Sequence, residues 1–446
     1  MNRKKYIKIG LGETVITPNE NLQMHGFGRS QVATGVHDDL HSRCLIVEDN
    51  TGTKFVLVSI SIVEINDTAI AERIRIAVVE AINVSRESVL ISCTHTHSGP
   101  EVSIAPMEYQ DFLVSQIAES AKLAMGNLAP GRIGVGKTVQ LEVGKNRRRL
   151  LYGGMHPDPE LVVLRIEDIS GNLRGVLFNY GCHPATLDWK NRLYSEDWPY
   201  YAIKGIKEKV GSDIWVCFLQ AAQGDINTGY DSLLSGIGAD MPVRDYAYIE
   251  YKGKQMAETV LEVLPKIKTE TLLDVEIKNA QCNLPLRNEF PVSLQEAKDI
   301  LEIAEKKLKD IENNPAYKGS KKLDKFRTEV LSATQTLDLA KDFYSGELKE
   351  SELTELQVFR VGSIVFFSLP GEIFSEIALE IKKGASFTNL LPVGLANCRW
   401  AYMPTEEEFI DGDYEVDGSK YSPKAGAELI KSLTEVINSL KLKEII

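Results

Sequence analysis

The sequence predicts a mixed α/β (α+β) fold: central β-sheets flanked by helices, with a charged helical hairpin inserted at 291–352. Three observations lead there. Short apolar runs rich in β-branched residues alternate with helical periodicity through the first half. Several of these runs pass directly into polar or glycine-bearing clusters, as strands do when they deliver side chains to a crevice. Two long, charge-rich helical patterns then interrupt the alternation before strands resume.

In chain order, SRCLIVED (42–49) and KFVLVSISIVEI (54–65) read as strands. NDTAIAERIRIAVVEAI (66–82) has the spacing of an amphipathic helix, with Asn66 or Asp67 as N-cap. SVLISC (88–93) is a short buried strand, and QDFLVSQIAESAKLAM (110–125) a second helix. LVVLRIED (161–168) and RGVLFNYGC (174–182) form a strand pair joined across Ser-Gly-Asn. PYYAIKGIKEKV (199–210) is helical, and DIWVCFLQAA (213–222) is a strand. Segments 293–314 and 321–346 make the hairpin, with Asn-Asn-Pro and Gly-Ser marking its turn. A solvated pair of helices with one face on the body is the plainer reading, and a lid or dimer arm the alternative. Strands return at 355–370 and 390–396, and 423–442 closes as a helix.

Composition narrows the function. Hydrophobic content of 43% and charged content of 26% are ordinary for a globular chain. A net charge of −12 argues against electrostatic nucleic-acid binding. No stretch reaches the roughly 18 apolar residues of a membrane span. The basic N-terminus is followed by no uninterrupted apolar segment, so it reads as mature chain. Cys44, Cys93, Cys182, Cys217, Cys282 and Cys398 are scattered with no CxxC pair, the usage of a reduced cytoplasmic protein.

Chemistry collects at the strand ends. SVLISC leads into Thr94-His95-Thr96-His97, GVLFNYGC into His183, IWVCFLQAA into Gln223-Gly224-Asp225, SIVFFSLP into Gly371-Glu372, and LPVGLA towards Tyr402. In an extended segment, residues two apart share a side, so His95 and His97 can face one cavity. Imidazole and carboxylate suit zinc, and His95, His183 and Glu372 would make a His2Glu set that leaves a position for water. The competing reading is a hydrogen-bonded polar turn. His25, His37, His41 and His156 lack comparable partners in the sequence and read as structural or rim residues, His37 being the best rim candidate.

The same residues carry a likeness. THTHSGP (94–100), together with GVHDDLHSRCLIVED, NRR, GCHPATL, SEDWPYYA, QGD, LPGE and YMPTEEEF…GDYE in that order, resembles the neutral, non-lysosomal ceramidases, zinc-dependent amidases. The likeness runs over roughly residues 5 to 440. It implies a Zn2+ site from His95, His183, Glu372 and Tyr402, with His97, Arg147 and Tyr414 lining the reaction centre. It implies hydrolysis of an N-acyl amide by a metal-activated water, with a small or lipid-like amide as partner. The proton shuttle stays open between Asp225, Glu372 and a histidine. Residues 1–446 then read as one large catalytic domain. Secreted relatives carry a signal peptide and an extra C-terminal β domain, and this chain reads as lacking both. Asn227 stands where the family pattern has serine. Two alternatives remain: a zinc hydrolase of the same fold acting on a small soluble amide or ester, and a non-catalytic ligand-binding relative. Oligomeric state is left open.

Overall fold

The computed structural model describes residues 6–27, 32–231, 244–288, 290, 292–317, 321–345, 350–398 and 401–441. Eight strands form one sheet, in the order Trp215–Gln220, Leu173–Tyr180, Glu160–Asp168, Ala129–Val139, Lys8–Val15, His41–Glu48, Lys54–Ile60, Val89–Cys93. Val275–Pro285, Ser351–Val361, Ile364–Ser368 and Asn389–Val393 form a second, four-stranded sheet.

Period-two alternation stacks these sheets. Leu45, Leu57, Leu90, Leu177 and Leu219 face the second sheet and share a core with Phe359, Phe366 and Leu391. Their sequence neighbours point the other way. Cys44, Ile46, Val58 and Ile91 pack under helices Thr68–Ile82 and Met107–Gly126. Phe178, Val216 and Phe218 pack under Trp198–Val210 and Tyr246–Val263. Beyond the second sheet, Val358, Val365 and Phe367 meet Ser375–Gly384 and Ala425–Asn438. The order is helix, sheet, sheet, helix, each layer burying the apolar face of the next. Each leucine so buried contributes roughly 1.5–3 kcal/mol.

Three pairs of long strands run parallel: Lys54–Ile60 with Val89–Cys93, Leu173–Tyr180 with Trp215–Gln220, and Ile364–Ser368 with Asn389–Val393. Both members of a parallel pair release the chain at the same rim. The first two pairs are opposite ends of the large sheet, yet hydrogen bonds join them. Ser59 Oγ donates to the Phe218 carbonyl at 2.9 Å, and Gln220 Nε2 to the Thr94 carbonyl at 2.8 Å. Twist has curled the sheet until its ends meet. Ser92 Oγ to the Gly394 carbonyl (2.8 Å) and Asn179 Nδ2 to the Pro392 carbonyl (2.9 Å) tie in the third pair. Three carboxyl-terminal rims therefore open on one place.

The expected helical hairpin is Leu294–Glu312 and Lys321–Ser345, the first started by a Ser293/Glu296 capping box. The Gly-Ser of its turn lies outside the described residues. It is inserted between two strands that pair antiparallel to their tips, Pro285 opposite Ser351. Ala297, Leu337 and Ala340 give it a small apolar cluster of its own. Asp67 is the N-cap of the helix that follows the second expected strand. That strand stops at Ile60, so Ser61–Ile65 is loop. Strands Lys8–Val15, Ala129–Val139 and Val275–Pro285 and helix Tyr246–Val263 go beyond the sequence reading. Gly10 and Gly12 lower the strand signal of the first, and the fold needs them there. A Cβ at either would collide with the backbone of helix Met107–Gly126. Cys44, Cys93, Cys182, Cys217 and Cys282 are buried, while the Cys398 side chain lies outside the described residues. Among the described residues no helix is long and apolar enough to cross a membrane.

Candidate metal centre

Past Cys93 the chain keeps pairing with the loop beyond Ile60. Thr94 N–H donates to the Ile60 carbonyl (2.8 Å) and His95 N–H to the Ile62 carbonyl (2.9 Å). His95 then takes φ = +72°, costly for a residue with a Cβ. Its Nδ1 lies 3.0 Å from the Val63 carbonyl. His183, beyond the second rim, places Nδ1 2.9 Å from the Ile226 carbonyl. A carbonyl only accepts, so each Nδ1 carries a proton and each Nε2 is the nitrogen turned towards the gap.

Glu372 and Tyr402 are register partners in a short parallel pair, Glu372–Ile373 with Tyr402–Met403, so both project from one face. Gly224 lets this pair approach: a Cβ there would strike the Glu372 carbonyl. Glu372 Oε2 lies 3.2 Å from His95 Nε2 and 2.9 Å from His183 Nε2. It is buried and receives no hydrogen bond. Burial, helped by Arg147, holds His183 down at about 4. Burial alone would push Glu372 up, but the His95 and His183 rings outweigh it and leave the carboxyl well below its usual range. At neutral pH His183 brings no second proton to the gap, so its Nε2 offers Glu372 Oε2 no donor.

A cation resolves that arrangement. His95, His97 and His183 have ligand atoms within 4.8 Å of one another, and so do Glu64, His95 and Glu372. Two imidazoles and a carboxylate suit a borderline divalent ion such as zinc. The pinning of each ring's other nitrogen to a carbonyl is the usual support of a metal-bound histidine. The residues fit a metal.

The remaining expected residues surround this core. The Tyr402 hydroxyl accepts from Arg147 Nη2 at 3.1 Å. Arg147 also reaches His183 Nε2 through Nη1 (3.3 Å), the Gly224 carbonyl through Nη2 (2.8 Å) and Glu415 Oε1 through Nε (2.7 Å). Tyr414 packs edge-on against Tyr402, ring centroids 5.7 Å apart, and burial with the Glu372 charge pushes its hydroxyl up to about 12. His97 lies 4.9 Å from the His95 ring, 5.8 Å from His183 and 4.8 Å from Phe27. Burial first, then the neighbouring histidines, hold it well below its usual value. His97, Tyr402 and Tyr414 are half-buried, so the cluster opens past them.

Asp225 sits apart from the rings. Its Oδ1 accepts from Ser375 N–H (2.8 Å), and its Oδ2 from Ser375 Oγ (2.9 Å) and Asn146 Nδ2 (3.0 Å). Its backbone carbonyl takes Arg147 N–H (2.9 Å). Asn227 is likewise occupied: its amide bonds Gly229 N–H, Tyr230 N–H and the Tyr230 carbonyl and closes a buried turn.

Sequence reasoning missed Glu64 and Glu415. Glu415 is fully buried and holds both Arg147 and Arg148. Glu64, 8% exposed, stands beside His95 and Glu372, and burial pushes its carboxyl up to about 8. Its signal was an acid inside an apolar run, SIVEI. The bland histidines do have partners: His25 Nε2 lies 2.8 Å from Glu101 and 3.8 Å from Glu64, and His37 stacks on Tyr246 at 4.1 Å. His156 donates through Nε2 to the Gly181 carbonyl and accepts Asp158 N–H at Nδ1.

A second buried cluster lies close by. Glu196 Oε1 accepts from Arg43 Nη1 (2.6 Å), Ser61 Oγ (2.5 Å) and His41 Nδ1 (3.2 Å), and Arg43 Nε also donates to Glu13 (2.6 Å). Burial would raise Glu196, but Arg43 and His41 keep it well below the carboxylate range.

Residues 7–229, half of the chain, match the family model described as neutral/alkaline non-lysosomal ceramidase, N-terminal. The chain belongs to this family. The matched ceramidase region contains the His95, His97, Arg147, His183 and Asp225 positions; Glu372, Tyr402 and Tyr414 lie beyond it. The neutral ceramidase of Drosophila melanogaster is 29% identical over 44% of this chain, and the match spans 31% of that relative's length. The neutral ceramidase of Pseudomonas aeruginosa is 23% identical over 93% of this chain and 69% of its own. For that of Mycobacterium tuberculosis the figures are 20%, 98% and 77%. The crystal structure of the Pseudomonas aeruginosa neutral ceramidase superposes with a TM-score of 0.76 at 20% identity, covering 99% of this chain and 76% of that one. A ceramidase complexed with C2 gives 0.72 at 18% identity, with the same coverage. The ceramidase fold thus extends over the described chain, including the second sheet beyond the family-model match.

Proposed function

We propose that this protein is a zinc-dependent amidohydrolase that cleaves the amide of an N-acyl, ceramide-like substrate. The observation that carries the reading is the meeting of His95 Nε2, His183 Nε2 and buried Glu372 Oε2 with no hydrogen bond to the carboxylate oxygen. His95, His183, Glu372 and Tyr402 would hold the ion. When bound, zinc would polarise the scissile carbonyl and lower the pKa of a water towards about 7.

The chain's own residues do the rest. Arg147 fixes the Tyr402 hydroxyl and the His183 ring, and Glu415 fixes Arg147. Asp225 acts as a positioning residue, because fixed donors occupy both its carboxylate oxygens and its carbonyl anchors Arg147. His97 and Tyr414, on the open side, are placed to meet the substrate's carbonyl oxygen and donate to the charge that develops there. Leu151, Tyr152, Met155 and Ile410 are strongly exposed on the two segments that follow Arg147–Arg149 and contain Glu408, which suits an apolar acyl group.

One observation favours a narrower variant of this reading. Asn227 is buried, with its amide oxygen and one amide hydrogen engaged in its own turn, where the family pattern has serine. Substrates that depend on a serine there would be poor, and smaller amides or esters better.

The test is metal analysis with a substrate panel. Purified protein should carry about one zinc per chain, and His183→Ala should lose it. Hydrolysis should be measured from N-acyl sphingoid bases to short N-acyl amino sugars. Turnover by a metal-free preparation would overturn the proposal.

A further inference from the structure

The acid that the sequence hid points to more than a neighbour of the site. The loop from Ile60 to Glu64 runs alongside Thr94 and His95, held by the Ile60, Ile62 and Val63 carbonyls. The carbonyl that orients the His95 ring thus belongs to the residue just before Glu64. Glu64 turns its Oε1 towards His25 Nε2, 3.8 Å away. Its Oε2 is inaccessible to solvent and receives no hydrogen bond. A carboxylate oxygen of Glu64 lies within 4.8 Å of ligand atoms on both His95 and Glu372. Glu64 Oε2 and Glu372 Oε2 are both buried without a hydrogen bond, on two carboxyl groups that meet at the His95 ring. One cation shared by both would hold Glu64 ionised beside Glu372 and offset the repulsion that its ionisation brings, which a neutral water would not.

We infer that Glu64 is a further ligand of the metal held by His95, His183 and Glu372, so that this chain's site carries two carboxylates. The inference rests on the metal reading proposed above. An oxygen-enriched donor set accepts a five-coordinate ion more readily than two imidazoles and one carboxylate do.

The test is metal affinity, read without turnover. Wild type, Glu64→Gln and Glu101→Gln are stripped, then titrated with zinc against a chromophoric chelator. Visible spectra of the cobalt-loaded proteins are recorded alongside. Glu64→Gln should bind zinc roughly 10–100-fold more weakly and change the cobalt spectrum. Glu101→Gln removes a charge that meets the same His25 Nε2 (2.8 Å) but is no member of the His95–Glu372 group, and should change neither. Urea midpoints check that all three proteins are folded. If Glu64→Gln misfolds, Glu64→Asp, which keeps the charge and shortens the reach, should show the same spectral change. Equal affinities and spectra in wild type and Glu64→Gln overturn this inference and leave the metal reading standing. A wild type that binds no metal overturns both. Loss of activity in Glu64→Gln with unchanged affinity makes Glu64 a group that handles protons and also overturns it.

Discussion

Two buried polar clusters diverge from one five-residue loop. Ser61 joins the cluster of Arg43, Glu196, His41 and Glu13, and Glu64 joins His95, His183 and Glu372. In the first, every contact just named runs from a donor to a carboxylate, so the charges close on themselves. In the second, a buried carboxylate oxygen without a hydrogen bond faces two imidazole nitrogens. Both are buried, and both stand where strands end. Completeness of pairing, more than burial or residue type, is what sets the candidate metal cluster apart from the closed one.

Breaking the open cluster should have the largest effect. His183→Ala should lower amide hydrolysis by about 10³-fold, equivalent to roughly 4 kcal/mol of barrier. Its urea midpoint, measured without metal, should stay near wild type. A midpoint collapse in the stripped protein would mean that this cluster, too, is structural. The closed cluster should respond in the opposite sense. Glu196→Ala strands Arg43 and should cost about 3–5 kcal/mol in chemical denaturation, with zinc affinity unchanged wherever the protein remains folded. Arg147→Lys sharpens the comparison, because Arg147 touches the open cluster but is itself paired to Glu415. Losing the planar fork should weaken zinc binding roughly 10–100-fold, read by chelator competition.

Acid sensitivity tests the burial of the rings themselves. Burial holds His156 and His183 at about 4, below the unfolded value of 6.5. The folded-state values are depressed, so between those limits the unfolded chain binds more protons than the folded one. Stability should be full above about pH 6.5 and fall as pH drops towards 4. Urea midpoints of the stripped protein across that range will show it, and a flat profile would count against burial of these rings.

The strand-end pattern made three of the candidate site's residues legible. His95, His183 and Glu372 each follow an apolar run, whereas Tyr402 showed there only as a tyrosine at a strand end and joined the set through the family resemblance. Glu64 was illegible for the same reason in reverse. Val63 and Ile65 flank it, so SIVEI read as the tail of a strand, whereas pairing with Val89–Cys93 ends at Ile60. Nothing local shows where a ladder stops when the apolar pattern continues. Asp225 was legible as an acid but not as a brace, because its partners Ser375 and Asn146 lie far away in sequence. The four layers could not be read at all. Which faces of the two sheets meet depends on the curl that brings Ser59 to Phe218, and no local pattern encodes it.

The convergence of three rims also sets a clock. Residues gathered around Glu372 come from the first strand pair, the second and the last, from His95 through His183 to Tyr402. During synthesis the first two histidines wait, with their carbonyl props in place, until the second sheet has been made and stacked. Contacts so distant in sequence are the slow ones to form. An ion held by this set would therefore be taken up late, after most of the chain has folded, and its loading would report the last step of maturation rather than guide the first.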